Sequence, residues 1–197
     1  MEGNKKSRKQ QAEETKRHIF DVAFDLLNQR DFENIKVRDI VEAAQVSVGT
    51  FYNYYTTKLD VFYETYRLAD EYFEGTVAPR LTQETVRERL LCFFDEYARY
   101  SSEISDLSLT KLLFNANNKC FDRPGDQGMR RVLEEQVQRG LESGELRGRE
   151  GEDAGAISEF LMIATRGLVY NWCTRDGSYS LMEAMESFVS RLLDAYC

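Results

Sequence analysis

Between Ser47 and Tyr54 the chain crowds three hydroxyl-bearing side chains, Thr50, Tyr52 and Tyr54, and the carboxamide of Asn53 into about two helical turns. Such groups are suited to reading a hydrogen-bonding surface. Hydroxyls reach base edges or phosphate oxygens, and a carboxamide presents the donor and acceptor that an adenine edge requires. A plainer reading of the same residues has Tyr52 and Tyr54 packing within their own domain and Asn53 solvated. Gly49 removes a side chain where backbone must come close to DNA or to a neighbouring helix. Lys36 and Arg38 upstream and Lys58 downstream add cations that meet phosphates or stand as ordinary surface residues. Lys36, Arg38, Ser47, Val48, Gly49, Thr50, Tyr52, Asn53, Tyr54 and Lys58 are the candidate DNA-binding set.

Two short helices must hold these residues. The first runs from about Val37 to Ala44 with Ile40, Val41 and Ala44 inward; a tight turn follows through Gln45 and Val46. The second begins at Ser47, a natural N-cap, and its Val48, Phe51 and Tyr55 fall on one inward face. This is the pattern of a helix-turn-helix whose second helix enters the DNA major groove. Ahead of it, Ile19, Val22, Ala23, Leu26 and Leu27 repeat at helical spacing from Glu13 to Gln29, with Phe20 and Phe24 widening the face. Residues 1–12 are polar and aperiodic and read as a flexible arm. Its Lys5, Lys6, Arg8 and Lys9 either sit near phosphates or only solubilise the terminus.

The net charge of −8 argues against a nucleic-acid partner until it is divided. Residues 1–58 hold ten Lys/Arg and nine Asp/Glu, whereas residues 59–197 hold sixteen and twenty-five, so the acidity belongs to the back of the chain. Only two prolines interrupt the 197 residues, and no segment alternates with the period of a strand. An all-α fold of about nine helices is therefore expected, with a three-helix head over 13–58 and a helical body over 59–197. No apolar run approaches the ~20 residues of a membrane span, and no secretory signal is visible. The expected location is the cytoplasm, with Cys92, Cys120, Cys173 and Cys197 as free thiols and with no metal site or cofactor.

In the body, a fourth helix starts near Thr57 and continues to Pro79. Helices follow at about 82–100, 104–117, 126–143, 152–174 and 180–196. In the last two, Ile157, Phe160, Leu161, Ala164, Leu168 and Trp172 form one stripe, and Leu181, Met185, Phe188, Val189, Leu192 and Tyr196 another. These either build a four-helix homodimer interface or serve the monomer core alone. Phe93, Tyr97, Leu113, Phe114, Met162, Arg166, Tyr170 and Trp172 are the candidate ligand-lining residues, with Phe94 and Leu112 beside them. Arg166 in an apolar helix asks for an acidic partner or an anionic ligand. Asn115, Asn117 and Asn118 are candidate polar anchors.

From Ser47 to Lys58, with Val37-Arg38-Asp39-Ile40-Val41-Glu42-Ala43-Ala44 before it, the chain resembles the tetracycline-repressor (TetR) family of bacterial transcription regulators. A weaker echo lies in Gly140-Leu141-Glu142-Ser143-Gly144-Glu145-Leu146-Arg147. The resemblance implies an all-helical homodimer with a DNA-binding head and a ligand-binding body. It also implies a repressor released from a palindromic operator by a small organic inducer; the candidate lining residues suit an aromatic or amphipathic one, and Arg166 an anionic one. Two positions depart from the family pattern. Gln45 stands where glycine is common, at a turn that calls for positive φ, and Lys36 stands where a threonine usually caps the second helix.

Two other classes of function compete. A thiol-based redox sensor on the same scaffold would use Cys120 or Cys197. An enzyme has little to draw on: no nucleophile elbow, phosphate-binding loop, zinc-protease or dinucleotide motif is present, and the one histidine, His18, lies in the head. No catalytic residue is assigned.

Overall fold

Ser7 starts the first helix. Its hydroxyl accepts from the Gln10 backbone N–H while the Gln10 side chain accepts from the Ser7 N–H, a reciprocal cap that fixes the entry to α1 (Arg8–Leu27). Arg8 and Lys9 are therefore helical, not part of the expected flexible arm. The computed structural model describes residues 7–115 and 128–197, and every regular element among them is helical. Lys5, Lys6, Asn117, Asn118, Cys120 and the 121–126 segment lie outside the described residues.

The chain divides into two compact units, Met1–Glu64 and Thr65–Cys197. In the first, α1 packs on α2 (Val37–Ala43) and α4 (Lys58–Phe62), and α2 packs on α3 (Val48–Tyr54). Ile19, Phe20, Ala23, Leu27, Ile40, Phe51, Tyr55, Val61 and Phe62 close its core. Tyr55 is buried, and its hydroxyl donates to the Lys16 carbonyl at 3.0 Å. The inward face expected of α3 is only partly correct. Phe51 and Tyr55 are buried, whereas Val48, in the first turn, is 51% exposed.

The turn between α2 and α3 contains Gln45 at φ +53°, the left-handed conformation expected from the sequence. A side chain there costs about 1 kcal/mol relative to glycine. Gln45→Gly should therefore raise head stability by about 1 kcal/mol in urea unfolding; an unchanged midpoint would show the turn to be unstrained. Lys36 begins α2 without a side-chain cap of its own. Asp39 Oδ2 accepts from the Lys36 N–H at 2.8 Å, so only half of a capping box is made.

Tyr63 interrupts the expected fourth helix, which continues as α5 (Glu64–Tyr72), a π-helical turn at Phe73–Val77 and a short 3-10 turn at Ala78–Arg80. The second unit goes on with α6 (Val86–Arg99), a second π-helical turn at Tyr100–Ile104, α7 (Asp106–Leu113), α8 (Gly128–Ser143), α9 (Ala154–Thr174) and α10 (Leu181–Leu193). The Gly140–Arg147 echo has a packing basis. A Cβ on Gly140 would come within 2.7 Å of Leu146 and 2.8 Å of Val86, Gly144 takes φ +77°, and Glu145 caps α6 by accepting from the Val86 N–H.

Phe73, Phe93, Phe94, Leu90, Leu133, Leu161 and Met185 centre the body's core. Most of the two stripes expected at a dimer interface belong to it: Ile157, Leu161, Trp172, Leu181, Met185, Val189 and Tyr196 are buried within the protomer. Phe160 of the first stripe (45% exposed) is instead left uncovered on α9, in line at helical spacing with Ile163 (59%) and Tyr170 (49%). The reason is geometric: α9 is apolar around most of its circumference, and α8 and α10 cover only part of it. Among the described residues no helix is long and apolar enough to cross a membrane, and no cluster of three metal-ligating side chains occurs.

Candidate nucleic-acid interface and body cavity

The exposed edge of α3 is set by its cap. Ser47 Oγ accepts from the Thr50 N–H at 2.9 Å and lies 2.8 Å from the Thr50 hydroxyl, which ties the first turn together. Buried Phe51 anchors the helix, and the Tyr52 ring stands edge-on to it at 5.3 Å. Tyr52 thus projects from a fixed base with 55% of its surface exposed. Ser47, Val48, Gly49 and Asn53 are exposed beside it, and Thr50 and Tyr54 are half-buried. Gly49 has no positive φ, and a Cβ built on it would meet only Ser47 Oγ, at 3.6 Å. Neither backbone conformation nor packing inside the protein calls for glycine there.

The cations differ in their freedom. Lys36 is exposed at the start of α2. Arg38 is exposed and bonded to Glu42 at 2.6 Å, which raises its pKa further above its ordinary value. Lys58 departs from the expected phosphate ligand. Its ammonium donates to the Phe32 and Ile35 carbonyls at 2.5 and 2.7 Å and lies 3.8 Å from the centre of the Phe32 ring. Burial lowers its pKa, opposed by Glu33 and Asp39. Lys58 is a staple of the head with one N–H to spare.

The second unit contains a cavity of about 90 Å³. Of the eight residues expected to line a ligand site, Tyr97, Leu113, Phe114 and Arg166 face it. Phe93, Met162 and Trp172 are instead buried in the core, where the Trp172 indole N–H donates to the Tyr179 carbonyl at 3.0 Å. Tyr170 lies on the exposed face of α9. The sequence reading missed the hydroxyl wall formed by Thr65, Tyr100, Ser101, Ser105 and Thr110. Serines and threonines on amphipathic helices resemble a solvated face, and here they come together from α5, the Tyr100–Ile104 turn and α7. That clustering left no periodic signal.

Two described cysteines are poorly suited to redox sensing. Burial pushes the Cys173 thiol up to about 11 and also raises Cys92, which keeps both protonated and weakly nucleophilic. Cys197 is exposed.

Residues 19–65 match the family described as bacterial regulatory proteins, tetR family. The HTH-type transcriptional regulator AcrR of Shigella flexneri is 37% identical over 62 residues, which span 32% of this chain and 29% of that protein's length. Among solved structures, the transcriptional regulator FadR from Bacillus subtilis, in complex with stearoyl-CoA, superposes with a TM-score of 0.73 at 19% identity, covering 90% of this chain and 97% of that one. The Thermus thermophilus FadR, in complex with lauroyl-CoA, gives a TM-score of 0.71 at 24% identity over 90% of this chain and 92% of its own. These likenesses extend the shared fold through the body. With the helix-turn-helix and its exposed edge, they make residues 19–65 similar to the tetR family of bacterial regulatory proteins and give the rest of the chain the fold of the two FadR structures.

Proposed function

We propose that this protein is a ligand-responsive transcriptional repressor, a homodimer that binds a palindromic operator and leaves it when a small organic inducer enters the body cavity. The observation that supports this most is Gly49, a helical glycine open to solvent at the start of an exposed polar edge. Its lack of a side chain is explained by close approach of DNA. In this reading Thr50, Tyr52 and Asn53 face base edges, and Tyr54, Lys36 and Arg38 lie toward phosphates. The exposed Phe160, Ile163 and Tyr170 on α9 meet their counterparts in a second copy, which places two heads on one duplex.

A short covalent route connects ligand and head. Thr65 lines the cavity and directly follows Glu64, which is buried and paired with Lys16 at 2.6 Å. The Lys16 carbonyl in turn accepts from Tyr55, the residue that closes α3. A ligand that shifts Thr65 acts through that peptide bond on the pair that holds α1, and the two heads then no longer match successive grooves.

The acyl-CoA esters bound by the two FadR proteins are the first candidates suggested by the fold, although a cavity of about 90 Å³ is much smaller than such a chain occupies. Operator binding is tested by gel shift on the DNA upstream of the protein's own coding region. Tyr52→Ala should weaken that binding by about ten- to a hundredfold, the worth of one lost base or phosphate contact in each head, with little change in stability because Tyr52 is mostly exposed. Equal binding of both forms to upstream and random DNA would refute the reading.

A further inference from the structure

The walls of the body cavity hold more hydrogen-bond donors than they use. The Ser101 hydroxyl donates to the Tyr97 carbonyl at 2.9 Å, the Thr110 hydroxyl to the Ser101 carbonyl at 2.6 Å, and the Tyr100 hydroxyl to the Thr65 carbonyl at 3.1 Å. The Thr65 hydroxyl lies 3.4 Å from both the Ser105 and the Tyr100 hydroxyls, at the outer edge of bonding distance, so these contacts are weak. Tyr97 is only 6% exposed, and its hydroxyl makes no hydrogen bond among the described residues. Its oxygen is not sealed from solvent, so the proton is offered to whatever occupies the cavity. Burial pushes its pKa up to about 12 against the opposing charge of Arg166, so it remains a donor.

Arg166 lines the same space, and its five N–H groups leave donors for a ligand whatever else it pairs with. No Asp or Glu is among the described lining residues, while Ala69, Leu113, Phe114 and Met129 supply an apolar wall. The backbone beside the cavity is also unusual. The π-helical turn at Tyr100–Ile104 is followed by Asp106 at φ +57°, and such features gather at functional sites. At about 90 Å³ the space is below the roughly 150 Å³ that holds a benzene ring and well below the roughly 300–1,000 Å³ of drug-sized sites.

We propose that the cavity binds a small organic carboxylate, its oxygens accepting from the Tyr97 hydroxyl and the Arg166 guanidinium and its short hydrocarbon end resting on Leu113 and Phe114. A donor-rich wall that carries Arg166 and, among the described residues, no acid stands opposite an apolar one, and it selects an anion with a small apolar tail over a neutral compound or a long acyl chain. The assignment rests on the reading of this cavity as the effector site. Its test does not depend on DNA.

Full-length protein is titrated calorimetrically with propionate, propionamide and lauroyl-CoA. Propionate should bind and propionamide should bind at least tenfold more weakly. Tyr97→Phe should lower propionate affinity about tenfold and Arg166→Met by about ten- to a hundredfold. Circular dichroism of each variant confirms that the fold is kept. Equal binding of amide and acid, a Tyr97→Phe variant with unchanged affinity, or binding of lauroyl-CoA alone would each overturn the carboxylate assignment. The gel shift of Tyr52→Ala reads the regulator proposal separately, so failure of the one is not mistaken for failure of the other.

Discussion

Gly49→Ala is expected to make the protein more stable and a worse DNA binder. Alanine is favoured over glycine within a helix by about 0.5–1 kcal/mol, and a Cβ at Gly49 meets nothing closer than Ser47 Oγ at 3.6 Å. Thermal unfolding should therefore shift upward. In the proposed complex the added methyl lies at the first turn of the helix that enters the groove, where backbone and duplex would come together. A loss of about 2 kcal/mol per head, the worth of a good base contact, corresponds to roughly thirtyfold weaker operator binding for each head engaged. Opposite signs in the two measurements separate this from ordinary destabilisation. A Gly49→Ala protein that binds operator as tightly as the parent would remove the main support for the α3 edge as the contact surface.

Ile163→Glu should give the largest effect of any single change outside the head. Ile163 is 59% exposed in the protomer, so glutamate there is solvated and costs the monomer little. In a symmetric pair formed about α9 the two carboxylates would be buried near one another without cations, a strongly unfavourable arrangement. Sedimentation should show a monomer where the parent is a dimer. Because two weakly binding heads act together only when joined, operator affinity should fall by about a hundredfold or more. A dimeric Ile163→Glu protein with full affinity would place the interface elsewhere.

The head was largely legible in the sequence because its determinants are local. Ser47 caps α3 through a residue three positions on, Gln45 must take positive φ because the turn is short, and Phe51 and Tyr55 repeat at helical spacing. The two carbonyls that hold Lys58, those of Phe32 and Ile35, were not legible because they come from a separate segment of the head. Val48 was misplaced for a related reason: helical periodicity names a face but does not say how far along it a neighbouring helix extends.

The body shows the limit of such reading more plainly. Its helices follow from apolar periodicity, and that much the amino-acid order determined by itself, because a stripe at every third or fourth residue has to be buried somewhere. Which residues of α9 are core and which are left open depended on where α7, α8 and α10 pack, and the tertiary structure put most of the expected stripe in the core while leaving Phe160 uncovered beside Ile163 and Tyr170. The cavity was decided in the same way. Tyr97 and Arg166 are far apart in sequence, and their meeting with the hydroxyls of Thr65 and Ser105 depends on long-range packing that no local pattern encodes.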